Sequence, residues 1–245
     1  MGWVKGSVVE KIVWTESLFS LRIAADIEPF LAGQYNRLRA CIRGEYVSRP
    51  YSYVNPPARR PLEFFIRRVE GPLSSHLSQT TCGDVLELMP RSSGLFVLNS
   101  LPGCRDLWLL ATGTGLGPYL SILGDPLTWE RFENLCLVQT VRSGHELCYA
   151  QTIQKLTHEK GSRFRWLPLV TGEDWPGALR SRIPALLASG QLESAVGLPL
   201  HPEQSHVMLC GNPDMVADTQ KMLQQRGLER SRRHHPGQIT VENYW

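Results

Sequence analysis

The sequence predicts two domains: an antiparallel β-barrel of Greek-key type over residues 1–100, then an α/β domain with a parallel sheet over residues 101–245. Three observations point there. At 245 residues the chain exceeds the roughly 100 to 150 residues of a common single domain. Its first hundred residues hold six short runs of strand character, broken by Gly, Pro, Asn and charged turn residues. From Arg105 onward the rhythm changes to apolar strand, glycine turn and helix, the alternation of a parallel sheet with crossover helices.

The six runs are Gly6 to Trp14, Leu18 to Ala24, Gln34 to Ile42, Tyr46 to Val54, Leu62 to Val69 and Asp84 to Pro90. So many short strands in so little chain suggest a small barrel. One helix, Ser74 to Thr80, follows Gly71-Pro72. The boundary is expected near Ser100-Leu101-Pro102-Gly103. Beyond it, strands are expected at Leu107 to Thr112, Leu135 to Val141, Phe164 to Thr171, Val207 to Cys210 and, last, Gln238 to Glu242. Helices are expected at Gly117 to Leu123, Glu146 to Glu159, Ser181 to Leu187 and Pro213 to Arg226, with Pro184 and Pro213 near starts, where proline is tolerated. Arg230 to His235 reads as a solvated turn.

Hydrophobic residues make up 42% and charged residues 20% of the chain, which suggests neither disorder nor a fibrous class. No apolar run approaches the ~18 residues of a membrane span, and the first residues carry no export signal, so a cytoplasmic protein is expected. The cysteines Cys41, Cys82, Cys104, Cys136, Cys148 and Cys210 are scattered; no bound metal is expected. Residues 1–99 hold 12 Lys/Arg against 9 Asp/Glu, whereas residues 100–245 hold 14 of each. Arg59, Arg60, Arg67 and Arg68 supply most of that excess. Such a surface draws in an acidic partner; no nucleic-acid motif accompanies it.

The run Leu107 to Ala111 enters Thr112-Gly113-Thr114-Gly115-Leu116-Gly117-Pro118. An apolar strand, a glycine turn and a proline at a first helical position let backbone N–H groups approach a pyrophosphate at the positive end of a helix. The alternate-position glycines make this a relative of the usual dinucleotide fingerprint, not the same turn. A second strand end, Cys210-Gly211-Asn212-Pro213, repeats the logic and brings Cys210 to the site mouth. In Arg49-Pro50-Tyr51-Ser52-Tyr53, alternation puts Arg49, Tyr51 and Tyr53 on one face and Ser52 on the other. Arginine pairs with phosphate and a tyrosine ring stacks on a flat ligand. Ser74 and Ser75 open a helix whose N–H groups suit a phosphate. The chain ends Glu242-Asn243-Tyr244-Trp245; two terminal aromatics need a surface to pack against.

Four of these motifs, in chain order the Arg49 to Tyr53 string, the turn from Gly113 to Pro118, Cys210-Gly211-Asn212-Pro213 and the ending Glu242 to Trp245, resemble those of the bacterial ferredoxin (flavodoxin) NADP reductases, a likeness over essentially the full length. The resemblance implies an FAD-binding barrel followed by an NADP-binding domain whose aromatic tail returns to the flavin. By that analogy Arg49 meets the FAD pyrophosphate, Tyr51 and Tyr244 flank the isoalloxazine, Ser52 lies near its N5, and Tyr53 belongs to the same FAD signature. The strand through Ile66, Arg67 and Val69 runs beside the adenine side, Leu73, Ser74 and Ser75 hold the pyrophosphate, Thr114 approaches the flavin, and Trp245 packs on the adenine. Gly113, Gly115, Gly117 and Pro118, with Gly211 and Asn212, serve NADP(H), and Arg142 and Arg182 its 2'-phosphate. Ser52, Cys210, Glu242 and Tyr244 line the hydride path, none as a general base. The implied partners are acidic carriers, ferredoxin or flavodoxin, with neither nucleic acid nor membrane involved.

One position departs from the pattern. After the strand ending at Val170 the family shows Ser or Thr, then Arg, then Glu; here the residues are Thr171-Gly172-Glu173. Arg180, two residues before Arg182, is a further cation that could take up the missing contact. The residues leave two other readings open: a flavin-binding redox sensor or electron-transfer subunit without turnover, and a reductase component of a multi-subunit oxygenase. The cysteine spacing rules out a plant-type [2Fe-2S] cluster on this chain.

Overall fold

The computed structural model describes residues 2–232 and 235–244. Two compact units form, one from Met1–Leu98 with Gly117–Pro126, the other from Asn99–Leu116 with Leu127–Trp245. No helix among the described residues is long and apolar enough to cross a membrane.

The first unit is a six-stranded antiparallel sheet: β1 (Val4–Val13), β2 (Leu18–Ala24), β3 (Tyr35–Ile42), β4 (Glu45–Ser52), β5 (Leu62–Arg67) and β6 (Val85–Leu88), in the order β4-β3-β6-β1-β2-β5. Its two edge strands meet where Tyr53 bridges Phe64 and Val54 N donates to Glu63 O at 2.8 Å. Curling the sheet this way removes the open edges and encloses a core that includes Leu21, Ile23, Leu38, Phe64 and Leu88. Helix α1 (Pro72–Gln79) packs against β3 and β4 and buries Leu73 and Leu77. From α2 (Leu116–Leu123), Tyr119 lies fully buried beside Phe96, and Ser121 Oγ donates to Asn55 O at 2.8 Å.

The second unit is a parallel sheet of β7 (Asp106–Thr112), β8 (Asn134–Val141), β9 (Phe164–Val170), β10 (Ser205–Gly211) and β11 (Ile239–Asn243), in the order β11-β10-β7-β8-β9. Strands β7, β8 and β10 are buried almost throughout, which is why they read as continuous apolar runs. Helices α5 (Ile183–Ala188), α6 (Gln191–Val196) and α7 (Pro213–Gln225) bury Ile183, Leu192 and Val216 into one core with Trp108, Val138 and Leu209. Helix α4 (Ala150–Lys160) packs against β9. Strand order reverses between β7 and β10, and sheets of this kind bind ligands at the carboxyl ends of strands beside such a switch.

Three local expectations shift. Helix α4 starts four residues later than its periodicity suggests, because Gly144–Glu146 form a 3-10 turn and Tyr149 takes a left-handed conformation, φ 61°. Pro118 is the third residue of α2 rather than the first, since the helix continues the 3-10 turn Gly113–Gly115; its missing N–H is still harmless within a first turn. Helices α3 (Pro126–Arg131) and α6 were not anticipated; at six residues each they carry little periodic signal, and α5, equally short, was read with the help of Pro184 near its start.

His206 on β10 is fully buried. Its Nε2 lies 2.9 Å from Thr240 Oγ1 and its Nδ1 has no hydrogen-bond partner. Burial, helped by the charge of Arg131, pushes its pKa down to about 4. The unfolded chain therefore binds a proton between about pH 6.5 and 4 that the folded chain refuses, so stability is full above 6.5 and falls as pH drops through that window. Denaturant titrations of the wild type and of His206→Gln are expected to show this residue's contribution shrinking by about 3 kcal/mol between pH 7 and pH 4. A difference independent of pH would contradict the assignment.

Candidate active site

The first half of the site lies at one end of the curled sheet. Arg49 on β4 is exposed, and its guanidinium donates to its neighbour's carbonyl, Nη1 to Ser48 O at 2.9 Å. Tyr51 is half-buried; burial pushes its phenol up to about 12, with Arg49 acting weakly the other way, so it stays protonated. Ser52 is buried. At the start of α1, Gly71 has φ 143° and caps no N–H with a side chain, Pro72 occupies the first turn, and no acidic residue lies in that turn. An uncapped, acid-free helix start beside a strand bearing an exposed arginine suits a phosphate.

Several expected contacts are spent inside the protein. Tyr53 is fully buried: its ring stacks on Phe30 at 3.9 Å and 20°, Asn36 Nδ2 donates to its hydroxyl at 2.9 Å, and Ser92 Oγ lies 2.8 Å away. Strand β4 ends at Ser52, so the alternation that put Tyr53 on the face of Arg49 and Tyr51 stops one residue short of it. Ser74 Oγ donates to Val69 O at 2.7 Å and accepts from Val69 N; its side chain closes the loop before α1 and leaves only its backbone for a ligand. Ile66 and Leu73 bury their side chains, while Arg67 is half-buried, and Val69 and Ser75 keep exposed surface.

In the second unit, two glycine turns interlock at the switch point. A Cβ on Gly115 would lie 2.5 Å from Cys210 O, and one on Gly211, at φ 132°, would overlap Thr112 Oγ1. Asn212 N donates to that same hydroxyl at 2.7 Å. Gly113, at φ 54°, faces open space where a side chain would sit, and Thr114 is buried in the turn. Gly117 and Pro118 are both buried in the first unit, where Gly117 approaches Val54 and Ser52 O. Asn212 is a helix cap, its Oδ1 accepting from Asp214 N and Met215 N at 2.9 and 3.1 Å.

Beside these turns, register pairs Cys210 with Glu242, and Tyr244 N donates to Gly211 O at 3.0 Å. Burial drives the Cys210 thiol well above its ordinary pKa, Glu242 adds to the effect, and a hydrogen bond with Tyr244 opposes it; the thiol is neutral. Glu242 is pushed up to about 7 by burial, and its Oε2 is buried with no hydrogen-bond partner. Three of the four expected hydride-path residues thus come together. Trp245 lies outside the described residues.

Further along the sheet, the loops after β8 and β9 are strapped together. Gly172 N donates to Arg142 O at 2.8 Å, and a Cβ on Gly172 would lie 2.7 Å from that oxygen. Glu173 Oε1 accepts from Ser143 Oγ at 2.7 Å and Gly144 N at 2.9 Å, and those bonds hold its carboxyl below the usual range. Trp175 lies over Gly144 so closely that any side chain there would enter its ring. Sequence reading missed Ser143 and Trp175 and gave Glu173 no partner, because nothing local shows what these side chains are tied to. Arg142 and Arg182 are both exposed on this side of the unit.

The fold and its two half-sites define a class, a two-domain oxidoreductase built to hold a flavin nucleotide and a nicotinamide dinucleotide. Residues 7–93 match the family described as "Oxidoreductase FAD-binding domain", and residues 109–221 the one described as "Oxidoreductase NAD-binding domain". A flavodoxin/ferredoxin–NADP reductase of Shigella flexneri is 46% identical over 245 residues, covering 99% of each chain, and that of Escherichia coli K12 is 45% identical with the same coverage. A solved ferredoxin NADP+ reductase from Neisseria gonorrhoeae with bound FAD and NADP superposes with a TM-score of 0.93 at 31% identity over the whole of both chains. The chain belongs to the flavodoxin/ferredoxin–NADP reductase family. Its residues fit both cofactors: the acid-free start of α1 suits a phosphate, the open space at Gly113 suits a backbone-bound pyrophosphate, and the orphaned Glu242 Oε2 suits a polar group brought by a nicotinamide.

If Tyr53 is core, Tyr53→Phe leaves Ser92 and Asn36 short of a partner, and unfolding in urea is expected to cost about 1 to 3 kcal/mol less while the purified protein keeps its FAD. Loss of FAD at unchanged stability would return Tyr53 to the flavin site.

Proposed function

We infer that this chain transfers a hydride between NADP(H) and bound FAD, and passes single electrons between FAD and an acidic ferredoxin or flavodoxin. One observation carries the reading above others: the likeness to the Shigella flexneri reductase spans 99% of both chains, so both half-sites come with it. The chemistry that bound FAD supplies is the conversion of a two-electron exchange into one-electron steps.

The chain's own residues bind, orient and exclude water. Arg49 and the free N–H groups of Leu73 and Ser74, with Ser75 in the same turn, would hold the FAD pyrophosphate, while Tyr51 would offer its ring to the isoalloxazine and Ser52 its hydroxyl toward N5. The turns at Gly113–Gly115 and Gly211 hold the dinucleotide by backbone, which needs close approach more than charge. Cys210 and Glu242 form the wall against which the nicotinamide is set, and Tyr244 adds an aromatic face. The Cys210 thiol is neutral, and a direct hydride transfer asks no general base of Glu242. Arg142 and Arg182 supply cations for the 2'-phosphate. Arg59, Arg60 and Arg68, all exposed, give the first unit a surface that steers an acidic carrier. A cytoplasmic setting belongs to this reading, in keeping with six cysteines present as free thiols.

Anaerobic NADPH is expected to bleach the visible flavin absorbance, and oxidised ferredoxin or flavodoxin to restore it. Exchanging Arg59 and Arg68 for Glu is expected to slow only the second step, more so at low salt. A yellow protein that NADPH leaves unbleached would instead be a flavin-binding module without turnover.

A further inference from the structure

Discrimination between NADP(H) and NAD(H) rests on cations at the adenosine 2'-phosphate, and the end of the strand that follows the glycine turn is where a dinucleotide fold places the first of them. Here that residue is Arg142, directly after β8. The next strand end brings Gly172, which offers no side chain and has no room for one while its N–H holds Arg142 O at 2.8 Å and its Cα faces the same oxygen.

The chain continues the sheet by one more bridge. Leu179 pairs in parallel with Leu169 of β9, Val170 N donates to Leu179 O at 2.9 Å, and Leu179 N donates to Pro168 O at 3.1 Å. The following residue is Arg180, which therefore leaves the sheet at the same carboxyl end as Arg142, with Gly172 between them. Neighbouring strands lie about 4.8 Å apart, so the backbones of the two arginines stand roughly two strand spacings from each other, with Gly172, which has no side chain, on the strand end between them. Arg180 is exposed, and its ion pair with Asp174, Nη1 to Oδ2 at 3.7 Å, joins two solvated groups, a weak tie that a phosphate readily replaces.

We propose that Arg180, reaching across Gly172 toward Arg142, is a specificity-determining residue for the 2'-phosphate of NADP(H) in this chain. The proposal rests on the NADP reading of the preceding subsection. A charge-assisted contact of this kind is worth about ten- to a hundredfold in affinity.

The test is calorimetric titration of the FAD-loaded protein with 2'-phospho-AMP and with 5'-AMP, for the wild type and for Arg180→Ala, with the melting temperature of each recorded. The expected result is that the wild type favours 2'-phospho-AMP, that R180A binds it at least about tenfold more weakly, and that 5'-AMP affinity and melting temperature are unchanged. A wild-type preference that survives intact in R180A overturns this proposal alone. Equal binding of the two nucleotides by the wild type overturns the NADP reading and the proposal together.

Discussion

The second half of the site depends on two turns touching backbone to backbone. Gly115 presents its Cα to Cys210 O, Gly211 presents its own to Thr112, and the Thr112 hydroxyl accepts from Asn212 N. Neither glycine tolerates a side chain, for different reasons: Gly115 for lack of space, Gly211 for lack of space and a φ of 132°. The consequences spread outward. Closing the turns fixes where β10 ends, where α7 begins under its Asn212 cap, and where β11 must run to set Glu242 opposite Cys210. A carboxyl with a buried, unpartnered oxygen, set beside the buried Cys210 thiol, is costly to keep in a protein interior. Their adjacency at the switch point of the sheet makes sense as a surface completed by a ligand.

The fold was legible wherever burial imposed a pattern. Strands β7, β8 and β10 lie inside the second unit, so their apolar runs stood out, and the turn residues of the first unit punctuated its six strands. Elements of six residues carry little such signal: α3 and α6 went unread, α5 was read with Pro184 near its start, and α4 began late because Tyr149 adopts a left-handed conformation that no local rule requires of a tyrosine. Pro118 was rightly read as a helix-start residue and wrongly numbered, since the 3-10 turn at Gly113–Gly115 runs straight into α2.

The site was less legible than the fold because residue type does not reveal what a side chain is already bound to. Tyr53 shares a motif with Arg49 and Tyr51 but its ring and hydroxyl are consumed by Phe30, Asn36 and Ser92. Ser74 and Asn212 look like ligand groups and are local braces, one on Val69 and one on α7. Conversely, Ser143, Glu173 and Trp175 looked unremarkable and tie two loops together. Gly172 shows the point most clearly: read along the chain it is a missing arginine, whereas in space its N–H holds Arg142 O and its Cα faces that oxygen too closely for a side chain.

The interlocked turns are tested most directly by rapid anaerobic mixing of NADPH with Gly115→Ala, comparing the rate of flavin bleaching with that of the wild type at equal FAD content. A Cβ at that position must push the turn away from Cys210, and a displacement on the order of 1 Å costs about a hundredfold in rate. The expected result is full FAD retention with reduction slowed to that extent; wild-type reduction in a protein that carries its FAD would contradict the account.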